Sequence, residues 1–393
     1  MLHALQRSFG RLSFAGMIFL LLTSGTPCSF SEEKAAPPSK PSPESEYFDV
    51  RGPCRLEFPR DHGAHPGFRV EWWYYTGNLR SENGDRYGFQ LTFFRTQISP
   101  PGSETLWPET PSNWRTQQMF LAHAAVSSIG EQAFWFDEKI ARGAVGLAGV
   151  EREASNIRIF LGAWSTRMEP EMHRLHAASE NFAFDLLCRP VKPPVSHGDQ
   201  GYSRKGSSPQ DASCYSSFTR LETSGKLVLQ GSTFSVRGTA WMDHEYSSEP
   251  LDETVAGWDW FGLQLTNRTE LMIYLLRREK GGIHPASSGT FVTRSGEPLH
   301  LSLEDIRVQV LDTWRSRKSG AVYPSRWHIR IAPLDLDLRI TSNVPDQELH
   351  TQTPRLIYWE GSVSISGNAE GKAVDGVGYV EMTGYARPFG LLQ

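Results

Sequence analysis

The stretch Val236–Leu265, VRGTAWMDHEYSSEPLDETVAGWDWFGLQL, decides how the rest of the 393-residue chain is read. Each end alternates in the way an extended chain alternates its faces. In Ala240–Tyr246, Trp241, Asp243 and Glu245 fall on one face and Met242, His244 and Tyr246 on the other. In Ala256–Leu265, Trp258 and Trp260 share one face, while Asp259 joins Phe261, Leu263 and Leu265 on an otherwise apolar one. Between them SSEPLDETV is polar and contains proline, the composition of a connection between strands. One strand closes a domain there and the next opens a second.

The same style of strand recurs on either side. Val70–Leu79 and Arg86–Thr96 flank SENGD, whose Asn-Gly pair suits the positive backbone angles of a tight hairpin. Met119–Ser127, Phe134–Phe136, Ile157–Trp164, Asn181–Leu187, Lys226–Leu229 and Thr233–Tyr246 continue it, with short helices expected only at Leu303–Val310 and near Pro170. Setting Trp72 on Trp258 places Tyr74 on Trp260 and Tyr75 on Phe261, and each segment leads through a turn into a strand ending in arginine, Arg95 or Arg277. The pattern predicts an all-β chain of two related barrels packed side by side, with domains at 47–248 and 249–393.

Ahead of them, 1–30 has a basic start, a short apolar run and small residues, the layout of an export signal too short to favour a membrane span. Residues 31–46, rich in Pro and Ser, read as a flexible tether. Cys28 raises lipidation, which the preceding Pro27 disfavours. The expected location is therefore the periplasm or envelope. Cys188 and Cys214 flank a long loop and are the pair placed to staple it in an oxidising compartment. A net charge of -4 excludes a typical nucleic-acid binder, whereas 12 Trp and 21 Phe suit strands and apolar pockets.

Several longer words bear a resemblance. RDHGAHP (Arg60–Pro66), EWWYYTGNL (Glu71–Leu79), YGFQLTFFR (Tyr87–Arg95), WMDHEYSS (Trp241–Ser248), GWDWFGLQL (Gly257–Leu265) and YVEMTGYA (Tyr379–Ala386) are similar to the AttH/carotenoid 1,2-hydratase-like family. The resemblance covers nearly everything after Tyr47. It implies two lipocalin-like barrels in an exported protein, and hydratases that use acidic, histidine and aromatic pocket residues.

Adding water to an isolated alkene needs a proton donor, a wall that tolerates a carbocation, and a held water. A carboxyl kept neutral by an apolar pocket supplies the proton, aromatic faces the wall, and a His or second carboxylate the water's orientation. The residues of these types are Asp259, Asp243, His244, Glu245 and Glu71 for catalysis, with Trp72, Tyr74, His123, Trp241, Trp258 and Trp260 as ligand wall. A structural alternative pairs Glu71 with Arg95 and Asp259 with Arg277 as buried ion pairs. His123 reads first as a satisfied barrel histidine rather than a base.

Asp61-His62-Gly63-Ala64-His65 looks like a metal loop but lacks a nearby third ligand, so no metal and no cofactor is expected. HExxH, GxSxG and P-loop motifs are absent from the sequence, and GAVGLAG (Gly143–Gly149) reads as a turn. Arg204 and Lys205, in GDQGYSRKG, are cations suited to an anionic headgroup, but the segment reads first as an ordered loop at the barrel rim. The leading expectation is a module binding a lipid or isoprenoid. A hydro-lyase acting on such a ligand and an envelope assembly partner are the alternatives.

Overall fold

The computed structural model describes residues 47–248, 251–353 and 355–388. The expected export signal with Cys28 (1–30) and the tether (31–46) lie outside them.

The chain is all-β. A 13-stranded antiparallel sheet forms a near-barrel and a 10-stranded sheet a half-barrel. Each is built around two hairpins. In the first sheet the opening hairpin is Val70–Ser81 with Arg86–Gln97, and the closing hairpin is Ala212–Leu229 with Ser232–Ser247. In the second, Val255–Leu265 pairs with Glu270–Arg278, and Ile357–Ala369 with Lys372–Thr383. The opening strand of each sheet lies between its own partner and the last strand of the closing hairpin. Gly84 takes a φ of 92° in the first turn, as the Asn-Gly reading requires.

Burial follows the alternation. Trp73, Tyr75, Phe89, Leu91 and Phe93 fill the first barrel with Met242, while Phe261, Leu263 and Leu265 pack inside the second with Trp327 and Trp359. The opposite faces of the same strands meet between the sheets, where Tyr74, Tyr215 and Trp241 pack against Trp260, Met272, Tyr274 and Tyr379. These strands are thus covered on both sides. Their near-continuous apolar runs have that cause.

Two expectations are corrected. Leu303–Val310 is not helical: Ile306–Arg315 is a strand paired with Val322–Ile331, and Pro170 sits in the turn between strands Trp164–Glu169 and Met172–Ala178. The helices among the described residues are short 3₁₀ turns such as Arg60–His62. Nor does Cys188 meet Cys214. Cys188 is a free thiol inside the first barrel, whereas Cys214 sits in a separate cluster with Val50 and Tyr246, on the His244 side of its strand pair. From there it bonds Cys54 across a Cα separation of 5.8 Å, pinning the segment that precedes the first strand.

Candidate functional site

The faces that meet between the sheets leave a pocket of about 650 Å³. Trp72, Tyr74 and Phe94 wall it from the first sheet, Trp258, Trp260 and Tyr358 from the second. Register explains how the acids arrive. Tyr74 lies opposite Asp243, and Trp260 lies opposite Glu381. The repeat that superposes Tyr74 on Trp260 therefore also brings Asp243 onto Glu381, and both carboxyls open on the same pocket.

Their environments differ. Asp243 receives hydrogen bonds from Trp241 Nε1 (2.6 Å) and Tyr215 OH (2.8 Å), and from the Ser217 hydroxyl. Tyr215 in turn accepts from Trp260 Nε1 at 3.0 Å. Burial raises the Asp243 pKa to about 7 against the pull of those three donors. Glu381 is half-buried, and Trp258 Nε1 donates to its Oε2 at 3.0 Å. Burial, with Asp243 and Glu245 as charged neighbours, raises it also to about 7. A third carboxyl, Glu360, is buried behind the wall, accepts a 2.5 Å hydrogen bond from Tyr74 OH, and is held well above its usual range by the same two effects.

Glu245 is the pocket's paired acid. Lys205 Nζ approaches it at 2.9 Å while lying 4.0 Å from the Tyr274 ring centre, and the Ser213 hydroxyl donates to it. The Glu245 and Tyr274 charges raise the Lys205 pKa despite its burial. Lys205 is thus a half-buried counter-ion, a role neither a rim loop nor a free headgroup site describes.

Other residues singled out in the sequence lie elsewhere. Asp259 faces the interior of the second sheet, where Arg277 Nε (2.9 Å) and Tyr385 OH (3.1 Å) hydrogen-bond to it. Glu71 and His244 face the interior of the first barrel. Arg95 Nε donates to Glu71 Oε2 at 2.8 Å, while His65 Nδ1 and His244 Nε2 share Oε1 at 2.7 and 2.8 Å. These contacts overcome the effect of burial and hold Glu71 well below the usual carboxylate range. Three donor atoms from His65, Glu71 and His244 lie within 4.8 Å of one another, the spacing of a metal set. The Arg95 guanidinium already neutralises the carboxylate there, so the cluster reads as an ion-paired lock. Trp241 packs behind Asp243. His123 lines the pocket, with burial lowering its pKa to about 3.

Sequence reasoning missed Glu381, Glu360, Tyr215 and Tyr358. The signal that could have found Glu381 is the repeat itself: extending the match of Tyr74 with Trp260 to the strands paired with them sets Asp243 against Glu381.

Fold and pocket together define an all-β protein of two antiparallel sheets with an aromatic, acid-lined pocket between them. More narrowly, the chain belongs to the AttH-like family, whose pattern matches residues 49–385. The crystal structure of an AttH from Nitrosomonas europaea is 33% identical, covers 86% of this chain and all of its own, and superposes with a TM-score of 0.75. Kievitone hydratase from Nectria haematococca shares the fold with a TM-score of 0.65 at 15% identity, over 88% of this chain and 98% of its own. Kievitone hydratase of Fusarium solani subsp. phaseoli is 21% identical over 216 residues, which span 53% of this chain and 59% of that protein.

Proposed function

We propose that this chain is a hydro-lyase that adds water to, or removes it from, a carbon–carbon double bond of an isoprenoid-type ligand held between the sheets. The observation that carries the reading is the pair Asp243 and Glu381, at matching strand positions in one aromatic pocket, each carboxyl near its midpoint at neutral pH. The likeness to kievitone hydratase supports catalysis over the simple carriage favoured by composition alone.

Glu381, with a single indole donor, is the better acid, and Asp243, held by three donors, the better base. The alkene's π electrons take the Glu381 proton to form a C–H bond, and positive charge develops on the more substituted carbon. The faces of Trp72 and Trp258 stabilise that charge. Water adds its oxygen to the cationic carbon and yields a proton to the Asp243 carboxylate. Proton exchange then resets both groups. The Cys54–Cys214 bond supports placing this chemistry in an exported protein.

The test is incubation with acyclic isoprenoid alkenes and their tertiary alcohols in ¹⁸O-water, read by mass. Wild type should incorporate label with a maximum near pH 7, falling on the acid side as Asp243 protonates and on the alkaline side as Glu381 ionises. Glu381→Gln should lower turnover at least ~100-fold with ligand affinity little changed. Label that persists in both Glu381→Gln and Asp243→Asn would overturn the assignment. No label from wild type across the panel, with tight binding that Trp258→Ala weakens, would return the protein to the carrier class.

A further inference from the structure

Away from the acids, the pocket wall carries a connected set of neutral polar groups that the proposed reaction does not use. His123, Gln90 and Tyr358 all line the pocket and are all buried. Gln90 Nε2 donates to Thr92 Oγ1 at 3.1 Å and to Tyr358 OH at 3.4 Å. The Tyr358 hydroxyl has one proton, and with Gln90 donating to it, that proton goes to His123 Nδ1, 2.7 Å away. With Nδ1 accepting that proton, the tautomer is the one that carries its N–H on Nε2. Among the described residues neither His123 Nε2 nor Gln90 Oε1 has a partner. Two residues of the pocket wall thus carry a spare donor and a spare acceptor, joined through a single hydroxyl and closed off from solvent in this conformation.

Leaving such groups unpaired costs about 1–3 kcal/mol each, so a site that keeps them is built to meet a partner. The chemistry of the pair selects that partner. A hydroxyl accepts from an N–H and donates to a carbonyl oxygen. A hydrocarbon does neither, and an ether or ketone only accepts. Anions are disfavoured too: neutral His123 offers no charge, and Lys205 is committed to Glu245.

We infer that His123 and Gln90 form a hydroxyl-recognition subsite, so that the ligand is an apolar chain bearing a neutral alcohol. This rests on the inter-sheet pocket being the ligand site. It narrows the substrate class from isoprenoid hydrocarbons to oxygenated isoprenoids, and lets the polar end fix which double bond reaches Glu381.

Binding of four probes with one carbon skeleton tests it by quenching of tryptophan fluorescence: farnesol, farnesyl methyl ether, farnesene and farnesyl phosphate. The readout is the ratio of dissociation constants in wild type against His123→Phe and Gln90→Leu, so that differences in probe hydrophobicity cancel. The expected result is that each variant lowers the preference for farnesol over farnesene at least about fivefold, with farnesene affinity little changed. The methyl ether should respond to His123→Phe but hardly to Gln90→Leu, because it retains only the acceptor. A farnesol-to-farnesene ratio unmoved in both variants, or farnesyl phosphate as the tightest wild-type ligand, would overturn the subsite. Equal loss of both ligands would assign these residues to packing and overturn it too. Because this measurement needs no turnover, a shifted ratio without ¹⁸O incorporation would support the subsite while the hydro-lyase reading fell. Incorporation with an unmoved ratio would do the reverse.

Discussion

Asp243 is placed where burial and three hydrogen-bond donors oppose each other, and burial wins. Its raised pKa has a consequence for stability that does not depend on any substrate. Between the ordinary carboxylate value near 4 and about 7 the folded protein binds a proton that the unfolded chain has released. The contribution to stability is therefore complete below about pH 4 and lost as pH rises through 7. Above that, the folded state carries a buried anion. Asp243→Asn keeps the shape without the charge and should raise the melting temperature at pH 8 while changing it little at pH 5. A loss of stability at pH 8 equal to that at pH 5 would show instead that the donors need the ionised carboxylate.

Between the hairpins the sheets are locked by charge as well as by aromatic packing. Glu270, from the second sheet's opening hairpin, receives Arg220 Nε at 2.5 Å and Lys192 Nζ at 2.6 Å, both from the first sheet's part of the chain. Arg220 also donates to the Leu265 carbonyl at 2.9 Å, and Lys192 to the Arg268 and Thr293 carbonyls. Glu270→Gln leaves two enclosed cations without their counter-charge. It should cost roughly 3–5 kcal/mol in urea denaturation, nearly independent of salt because the pair is shielded from solvent. This lock was not legible in the sequence, since its three members sit far apart and each looks like an ordinary surface charge. The strand alternation was legible, and it correctly separated Trp241, Asp243 and Glu245 from Met242 and His244. What alternation cannot say is which face meets another sheet. Asp259 and Asp243 therefore looked equivalent until one was found against Arg277 and the other in the pocket.

At the scale of the whole molecule, the Cys54–Cys214 bond spans a sequence separation of 160 and ties the segment before the first strand to the closing hairpin. The same segment is held by Cys54 N to the Gln200 carbonyl at 3.2 Å and by Ser248 Oγ to the Phe48 carbonyl at 2.5 Å. Replacing both cysteines by serine should lower stability by about 2–4 kcal/mol. Amide exchange should rise first around Phe48–Leu56. Cys188, buried with its thiol pKa pushed up to about 12, should resist alkylation in both proteins until they unfold. Rapid labelling of native protein at Cys188 would contradict its place in the barrel core.

The two-sided pocket also imposes an order on synthesis. Trp72, Tyr74, Gln90, His123 and Asp243 leave the ribosome well before Tyr358 and Glu381, which complete the wall opposite them. A nascent chain that has finished its first sheet must wait with that aromatic face wet and adhesive. A polypeptide stopped after Ser248 should accordingly self-associate, visible as light scattering at concentrations where the full chain stays monodisperse. The face that later packs against the second sheet is, during translation, a liability for a chaperone to cover.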